Sequence, residues 1–324
     1  MTKNLQNDGD QKPVIGITLG DPCGIGPEIT AKALSIPGIR RLADFVLIGD
    51  KSVYDLCLPV PSEDIRFCDL KLIKKPDDIS VKERGAAAFA YLKKAVEFIK
   101  DGSIQGLVTA PLNKQVVING GAPDFHGHTE MLAEAFQVKN VEMMFAGGPF
   151  KTIIATRHIP LKYVASSLTP EALLNTIRLS HSCLKDIFKI PGPRIALCGI
   201  NPHAGEGGKI GTEELDIIIP AMKKAGQEGI MTEGPFAADT LFIPFNAMKY
   251  DLIIAMYHDQ GLAPIKALYF TKLVNLTIGL PFIRTSTAHG TAEDIAGQNK
   301  ADPSSMIEAI KMACELTRNK FPGV

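Results

Sequence analysis

Three apolar runs each end on a histidine: Thr152-Ile-Ile-Ala-Thr-Arg-His158, Ile195-Ala-Leu-Cys-Gly-Ile-Asn-Pro-His203 and Leu252-Ile-Ile-Ala-Met-Tyr-His258. Imidazole is the commonest protein ligand for divalent metals, so three on one rim would suit zinc, cobalt, manganese or magnesium. Any one strand-end histidine is more often a hydrogen-bonded loop residue, and the wide separation of these three excludes a local chelate such as His-Glu-x-x-His. The repetition is what points to a metal. Asp259 directly follows His258, and Asp239 lies in the loop-like segment Pro235-Phe-Ala-Ala-Asp239-Thr. Carboxylates so placed complete or orient a mixed nitrogen and oxygen site. No thiolate motif competes, because the six cysteines are scattered without a Cys-x-x-Cys pair and read as reduced core residues.

A second chemical signal is the loop Gly20-Asp-Pro-Cys-Gly-Ile-Gly-Pro-Glu28, which follows a strand-like run and precedes a helix-like one. Gly20, Gly24 and Gly26 would let the backbone approach a ligand closely. The spacing is not that of a dinucleotide-binding turn, and no phosphate-loop lysine follows. A tight strand-to-helix connection is the competing reading.

The elements that must position these residues read as an alternation of strands and helices, hence an α/β class with a largely parallel sheet. Buried strands are expected at Val14–Leu19, Phe45–Ile48 and Leu107–Thr109, besides the three that end on histidines. In such folds ligands bind beyond the carboxyl ends of the strands. A helix is expected over Val81–Lys100, closing at Asp101-Gly102, and another near Thr129. Thr169-Pro170 and Asp302-Pro303 each pair an N-capping residue with proline at the first helical position. At 324 residues the chain exceeds the usual single core, so two subdomains are expected. Apolar residues make up 45% and charged residues 22%, and the formal net charge of zero gives no reason to expect nucleic-acid or membrane partners. The start of the chain lacks an apolar signal region, and no apolar segment approaches the roughly 18 residues needed to span a bilayer. A cytoplasmic location and a disordered polar tail over residues 1–12 are the expectations.

The glycine loop resembles that of isocitrate and isopropylmalate dehydrogenases. Taken with VTAPLNK, GHTEML, Arg157-His158, NPHAGEGG, YHDQGLAPIK and VNLTIGLPFIRTSTAHGTAEDIAG, the chain is identified as a member of the 4-hydroxythreonine-4-phosphate dehydrogenase family of pyridoxal phosphate biosynthesis. The resemblance runs from about Pro13 to the C-terminal helix. One departure is Thr287-Ala288-His289, where many members carry Val-Asp or Pro-Asp before the histidine.

The resemblance implies a two-domain α/β/α fold like that of isopropylmalate dehydrogenase, with an active-site cleft between subdomains at about 13–125 plus 270–324 and 126–269. It implies a homodimer whose site lies at the subunit interface, with His158 and His203 from one chain and His258 from its partner binding one zinc, magnesium or cobalt ion. Substrate contacts carry over to His128, Thr129, Lys266, Asn275 and Arg284. Asp239 and Asp259 correspond to acidic residues near the metal. The general base stays open among Lys266, Asp259 and a hydroxide on the metal. The cofactor implied is NAD or NADP, lined by Gly20, Gly24 and Gly26. The reaction implied is oxidation of the C3 hydroxyl of 4-phosphooxy-L-threonine to 2-amino-3-oxo-4-phosphooxybutanoate, which decarboxylates to 3-amino-2-oxopropyl phosphate. Two rivals remain: the same chemistry on 4-phospho-threonate or 4-phospho-erythronate, and a phosphate acyltransferase of similar fold.

Overall fold

The computed structural model describes residues 12–57, 65–76 and 78–322, so the polar tail expected at the start lies, up to residue 11, outside the described residues. The chain divides into two compact units, one running to Leu132 and resuming at Phe282, the other spanning Ala133–Pro281. The changeovers fall at 132/133 and 281/282, seven and twelve residues beyond the expected 125/126 and 269/270. Consequently His128 and Thr129 belong to the first unit and Asn275 to the second.

The strands are β1 (Val14–Thr18), β2 (Asp44–Gly49), β3 (Arg66–Asp69), β4 (Gly106–Thr109), β5 (Glu142–Gly147), β6 (Phe150–Thr156), β7 (Ile195–Cys198), β8 (Thr232–Phe236), β9 (Leu252–Tyr257), β10 (Val274–Ile278) and β11 (Ile283–Thr287). In the first unit they follow the order β3-β2-β1-β4-β11, and every pairing is parallel. Parallel strands need cover on both faces, which is why β1, β2, β4 and β11 read as nearly continuous apolar or small residues. The helix Val81–Lys100 lies against β1 and β2, and the helix Ser304–Lys320 against β4 and β11. The first is fixed at its start by a capping box, with Ser80 Oγ accepting from the Glu83 N–H and Glu83 Oε2 accepting from the Ser80 N–H. The second starts at Ser304, so Pro303 takes the N-cap position rather than the first helical one as expected, and Asp302 Oδ1 accepts from the Ser304 N–H at 2.9 Å.

The second unit has the order β10-β5-β6-β9-β7-β8. Here β5 is antiparallel to both neighbours, whereas β6, β9, β7 and β8 run parallel. The reversal comes from a tight β5–β6 hairpin in which Gly147 pairs with Phe150 and Gly148 takes φ +55. A positive φ at the first central residue is what a two-residue hairpin requires. The helix Pro170–Ser182 is capped by Thr169, whose Oγ1 accepts from the Ala172 N–H, and packs on the helix Ile219–Gln227. The helix His258–Tyr269 covers β6 and β9. Among the described residues no helix is long and apolar enough to cross a membrane.

Candidate functional site

β6 and β9 run parallel with Thr156 opposite Tyr257, so the residues that follow leave the sheet side by side. His158 lies two residues beyond β6, and His258 opens the helix directly after β9. Their ring centres are 5.8 Å apart at an interplanar angle of 46°. Imidazole nitrogens bind zinc at about 2.0–2.1 Å, which puts the centres of two rings on one ion roughly 5–6 Å apart. The pair therefore fits a shared divalent ion. Asp259 Oδ1 stands 2.7 Å from His258 Nδ1. With Nδ1–H donating to that carboxylate, Nε2 is the nitrogen left for a metal.

The resemblance implies that His258 reaches His158 and His203 from a partner subunit. Within the single chain the His258 ring also lies beside that of His158, because β9 is the strand paired with β6. Among the described residues no group of three or more histidine, cysteine or acidic side chains closes to metal-binding dimensions, so His203 and Asp239 stand outside the His158–His258 pair. Asp239 lies exposed in the short helix Ala238–Leu241, where its Oδ1 accepts from the N–H of its neighbour Thr240 at 2.9 Å.

His203 begins a left-handed stretch, with φ of 52° at His203, 52° at Ala204, 77° at Gly205, 42° at Glu206 and 67° at Gly207. Residues with a Cβ hold that conformation only where their surroundings impose it. The support is Glu214, only 2% exposed. Its Oε1 accepts from the N–H groups of Ile200 at 2.7 Å and Asn201 at 2.8 Å, and its Oε2 from Asn201 Nδ2 at 2.9 Å. Nothing in the sequence marked Glu214, since an acidic residue at the start of a helix-like run ordinarily reads as a solvated one.

Two further expected residues lie in the same unit. Lys266 is half-buried, two turns beyond His258 on the same helix. Asn275 is buried in β10 opposite Phe145, and its Oδ1 has no hydrogen-bond partner. A buried acceptor without a partner is costly.

The first unit contains a cluster of cationic and polar side chains around Arg284. Arg284 projects from β11, 3% exposed, and donates through Nε and Nη2 to Thr109 Oγ1 at 3.2 and 2.6 Å. Burial pushes its guanidinium down to about 10, partly offset by the charge of Glu130. His128 opens the helix His128–Ala135 and is held well below the usual imidazole range, first by burial, then by the charges of Arg284 and Lys114. Thr129 beside it is buried. A neutral imidazole, a hydroxyl and a buried guanidinium together suit a phosphate, which supplies the charge the cluster lacks. Thr109 and Lys114, both within the VTAPLNK segment, were not singled out as contacts by the sequence. Their relevance appears only when β4 is seen to lie beside β11.

The glycine loop has a structural explanation. An ideal Cβ on Gly20, which has φ +71, would lie 2.3 Å from the Pro111 carbonyl oxygen, and one on Gly26 would lie 2.3 Å from that of Leu19. At Gly24 a Cβ would come within 3.1 Å of Thr291. The space these glycines open is thus used by close approach of the chain itself. The fully buried Asp21 in the same loop accepts from Arg84 Nε at 2.5 Å, and Arg84 Nη1 donates to Glu293 at 3.0 Å.

Comparison with known proteins gives a concordant result. Residues 43–313 match the family model described as pyridoxal phosphate biosynthetic protein PdxA. A 4-hydroxythreonine-4-phosphate dehydrogenase of Desulforapulum autotrophicum is 42% identical, covering 94% of this chain and 95% of its own. A protein of Oceanobacillus iheyensis, provisionally named D-threonate 4-phosphate dehydrogenase, is 41% identical over 96% of this chain and 99% of its own. Among solved structures, a 4-hydroxythreonine-4-phosphate dehydrogenase from Klebsiella pneumoniae superposes with a TM-score of 0.83 at 35% identity, covering 96% of this chain and 99% of that one.

Proposed function

The chain belongs to the PdxA family of pyridoxal phosphate biosynthetic proteins, and on that premise we propose that it is a 4-hydroxythreonine-4-phosphate dehydrogenase. The reaction is oxidation of the C3 hydroxyl of 4-phosphooxy-L-threonine by a nicotinamide dinucleotide. The resulting 2-amino-3-oxo acid loses carbon dioxide to give 3-amino-2-oxopropyl phosphate. The observation that supports the reading, beyond the family itself, is the buried Arg284 near His128, with Thr129 next to it, a set of groups suited to a phosphate ester.

In this reading Arg284, His128 and Thr129 hold the phosphate, and Asn275 Oδ1 accepts from a substrate donor. Holding the ester fixes where C3 lies, so their contribution is orientation. His158 and His203 of one subunit, with His258 reaching across the interface of a homodimer, would hold a divalent ion. When bound, such an ion supplies Lewis acidity that lowers the hydroxyl pKa and later polarises the ketone for decarboxylation. Asp259 keeps the His258 ring in the metal-binding tautomer, which engages it elsewhere than as the base. Lys266, on the same helix, is the residue we assign to take the hydroxyl proton. A homodimer and a zinc, magnesium or cobalt ion belong to the same proposal.

The test is NADH formation by metal-replete enzyme with 4-phosphooxy-L-threonine. The similarly close Oceanobacillus relative favours one alternative, D-threonate 4-phosphate. Equal or higher kcat/KM on that hydroxy acid would replace the proposed substrate and leave the chemistry unchanged.

A further inference from the structure

The start of β5, the end of β6 and the helix Pro170–Ser182 enclose a cavity of about 290 Å3 within the second unit. Register fixes which face of the sheet it occupies. Residues directly opposite in a ladder share a face, and side chains alternate along each strand. Met144 pairs with Ile153, so Glu142 on β5 points to the same side as Ala155 and Arg157, which continue the alternation from Ile153. Asn275 pairs with Phe145, three residues from Glu142, and so points to the other side. The cavity thus lies across the sheet from the side chain assigned to the substrate. The helix turns Leu173, Thr176 and Leu179 toward it at three-residue steps, and Leu168 and Val141 complete an apolar wall.

Two opposite charges line this cavity without joining. Glu142 Oε1 accepts from Thr176 Oγ1 at 2.9 Å, but Oε2 is buried and has no hydrogen-bond partner. Arg157 Nη1 donates to the Val141 carbonyl at 3.3 Å and stands 3.6 Å from Glu142 Oε2, beyond hydrogen-bond reach. Burial raises the Glu142 pKa, and the Arg157 charge and the Thr176 hydrogen bond offset this only in part. A buried carboxylate short of positive charge is stabilised by a cation, and a guanidinium by the paired oxygens of a carboxylate. We propose that this cavity binds a small aliphatic α-amino acid, with its ammonium on Glu142 Oε2, its carboxylate on Arg157 and its side chain against Leu168, Leu173 and Leu179. A ligand with one charge alone would serve only one of the two protein charges. A volume of about 290 Å3 is at the lower end for small-molecule sites, which fits a metabolite of this size. The site shares no residue with those that would hold metal and phosphate, and it does not depend on them.

The experiment is titration of the full-length protein with L-leucine, followed by calorimetry and by ligand-detected NMR, in EDTA so that metal plays no part. The unmodified protein is expected to bind with a Kd of about 1 mM or tighter. 4-Methylpentanoate, which lacks the ammonium, and 3-methylbutylamine, which lacks the carboxylate, should each bind at least about tenfold more weakly. Glu142→Gln keeps the shape and removes the charge, and it should weaken L-leucine binding by about tenfold or more. Arg284→Met should leave that binding unchanged, since Arg284 belongs to the other unit. No L-leucine binding up to about 10 mM, equal affinity for either single-charge analogue, or undiminished binding by Glu142→Gln would overturn the proposal. Loss of L-leucine binding in Arg284→Met would place the amino acid in the substrate site and overturn it equally. If Glu142→Gln does not fold, the two analogues decide on the unmodified protein.

Discussion

His158 and His258 face one another at the ends of two adjacent parallel strands, ring centres 5.8 Å apart, within one polypeptide. The register of β6 on β9 delivers both side chains to one rim. Replacing either histidine by alanine should therefore remove Co2+ or Zn2+ binding from the protein. Equilibrium dialysis measures it, and metal retention by His258→Ala would contradict the pairing.

Asp259 accepts from the His258 ring and fixes its tautomer. Asp259→Asn should weaken metal binding by about 10- to 100-fold without changing thermal stability. Chelation with EDTA should abolish dehydrogenase activity in parallel, with recovery on adding Zn2+, Mg2+ or Co2+. Activity that survives chelation while coenzyme A is consumed would point to acyl transfer instead.

Arg284 carries a cost in the free protein. Its guanidinium is pushed down to about 10 by burial from an ordinary value of 12.5, a desolvation cost on the order of 3 kcal/mol. Arg284→Met should thus leave the free protein as stable as before or more so, while kcat/KM falls by about 100-fold or more through loss of phosphate binding. Urea unfolding and steady-state kinetics on the same variant test both halves. A large loss of stability would show that the arginine is structural.

His128 gives the protein a pH dependence. Burial, with Arg284 and Lys114, holds its pKa well below 6.5, so in acid the unfolded chain binds a proton that the folded chain refuses. Stability contributed above pH 6.5 is therefore lost as pH falls below that value, with a slope of at most about 1.4 kcal/mol per pH unit from this group. His128→Asn should flatten the unfolding free energy measured between pH 5 and pH 6.5. Unchanged slopes would mean that the site is more solvated than its packing implies.

Asp21 and Arg84 form a buried pair that ties the glycine loop to the helix Val81–Lys100. Arg84→Met leaves the Asp21 carboxylate buried without its cation and should cost about 3–5 kcal/mol. The double variant with Asp21→Asn should recover much of that loss. Equal stability of the two variants would show that the single substitution acts by altered packing alone.

What the sequence determined by itself were the features written in neighbouring residues. The helix Val81–Lys100 begins and ends where its Ser80 cap and the Asp101-Gly102 stop place it, and Thr169-Pro170 opens a helix for the same local reason. The residue types of the chemistry, three histidines and the Arg284 segment, were equally legible, because strand endings are visible as changes in apolar pattern. The tertiary structure decided everything that depends on which strands become neighbours. Antiparallel pairing of β10 with β5 puts Asn275 in the second unit, and no local pattern announces it. The insertion of β9 between β6 and β7 puts His258 beside His158 and leaves Glu214 to hold the His203 loop. Strand order is a contest among pairings between segments far apart in the chain, settled by how the helices between them pack on the sheet. A periodicity of two or of 3.6 residues carries no record of the result.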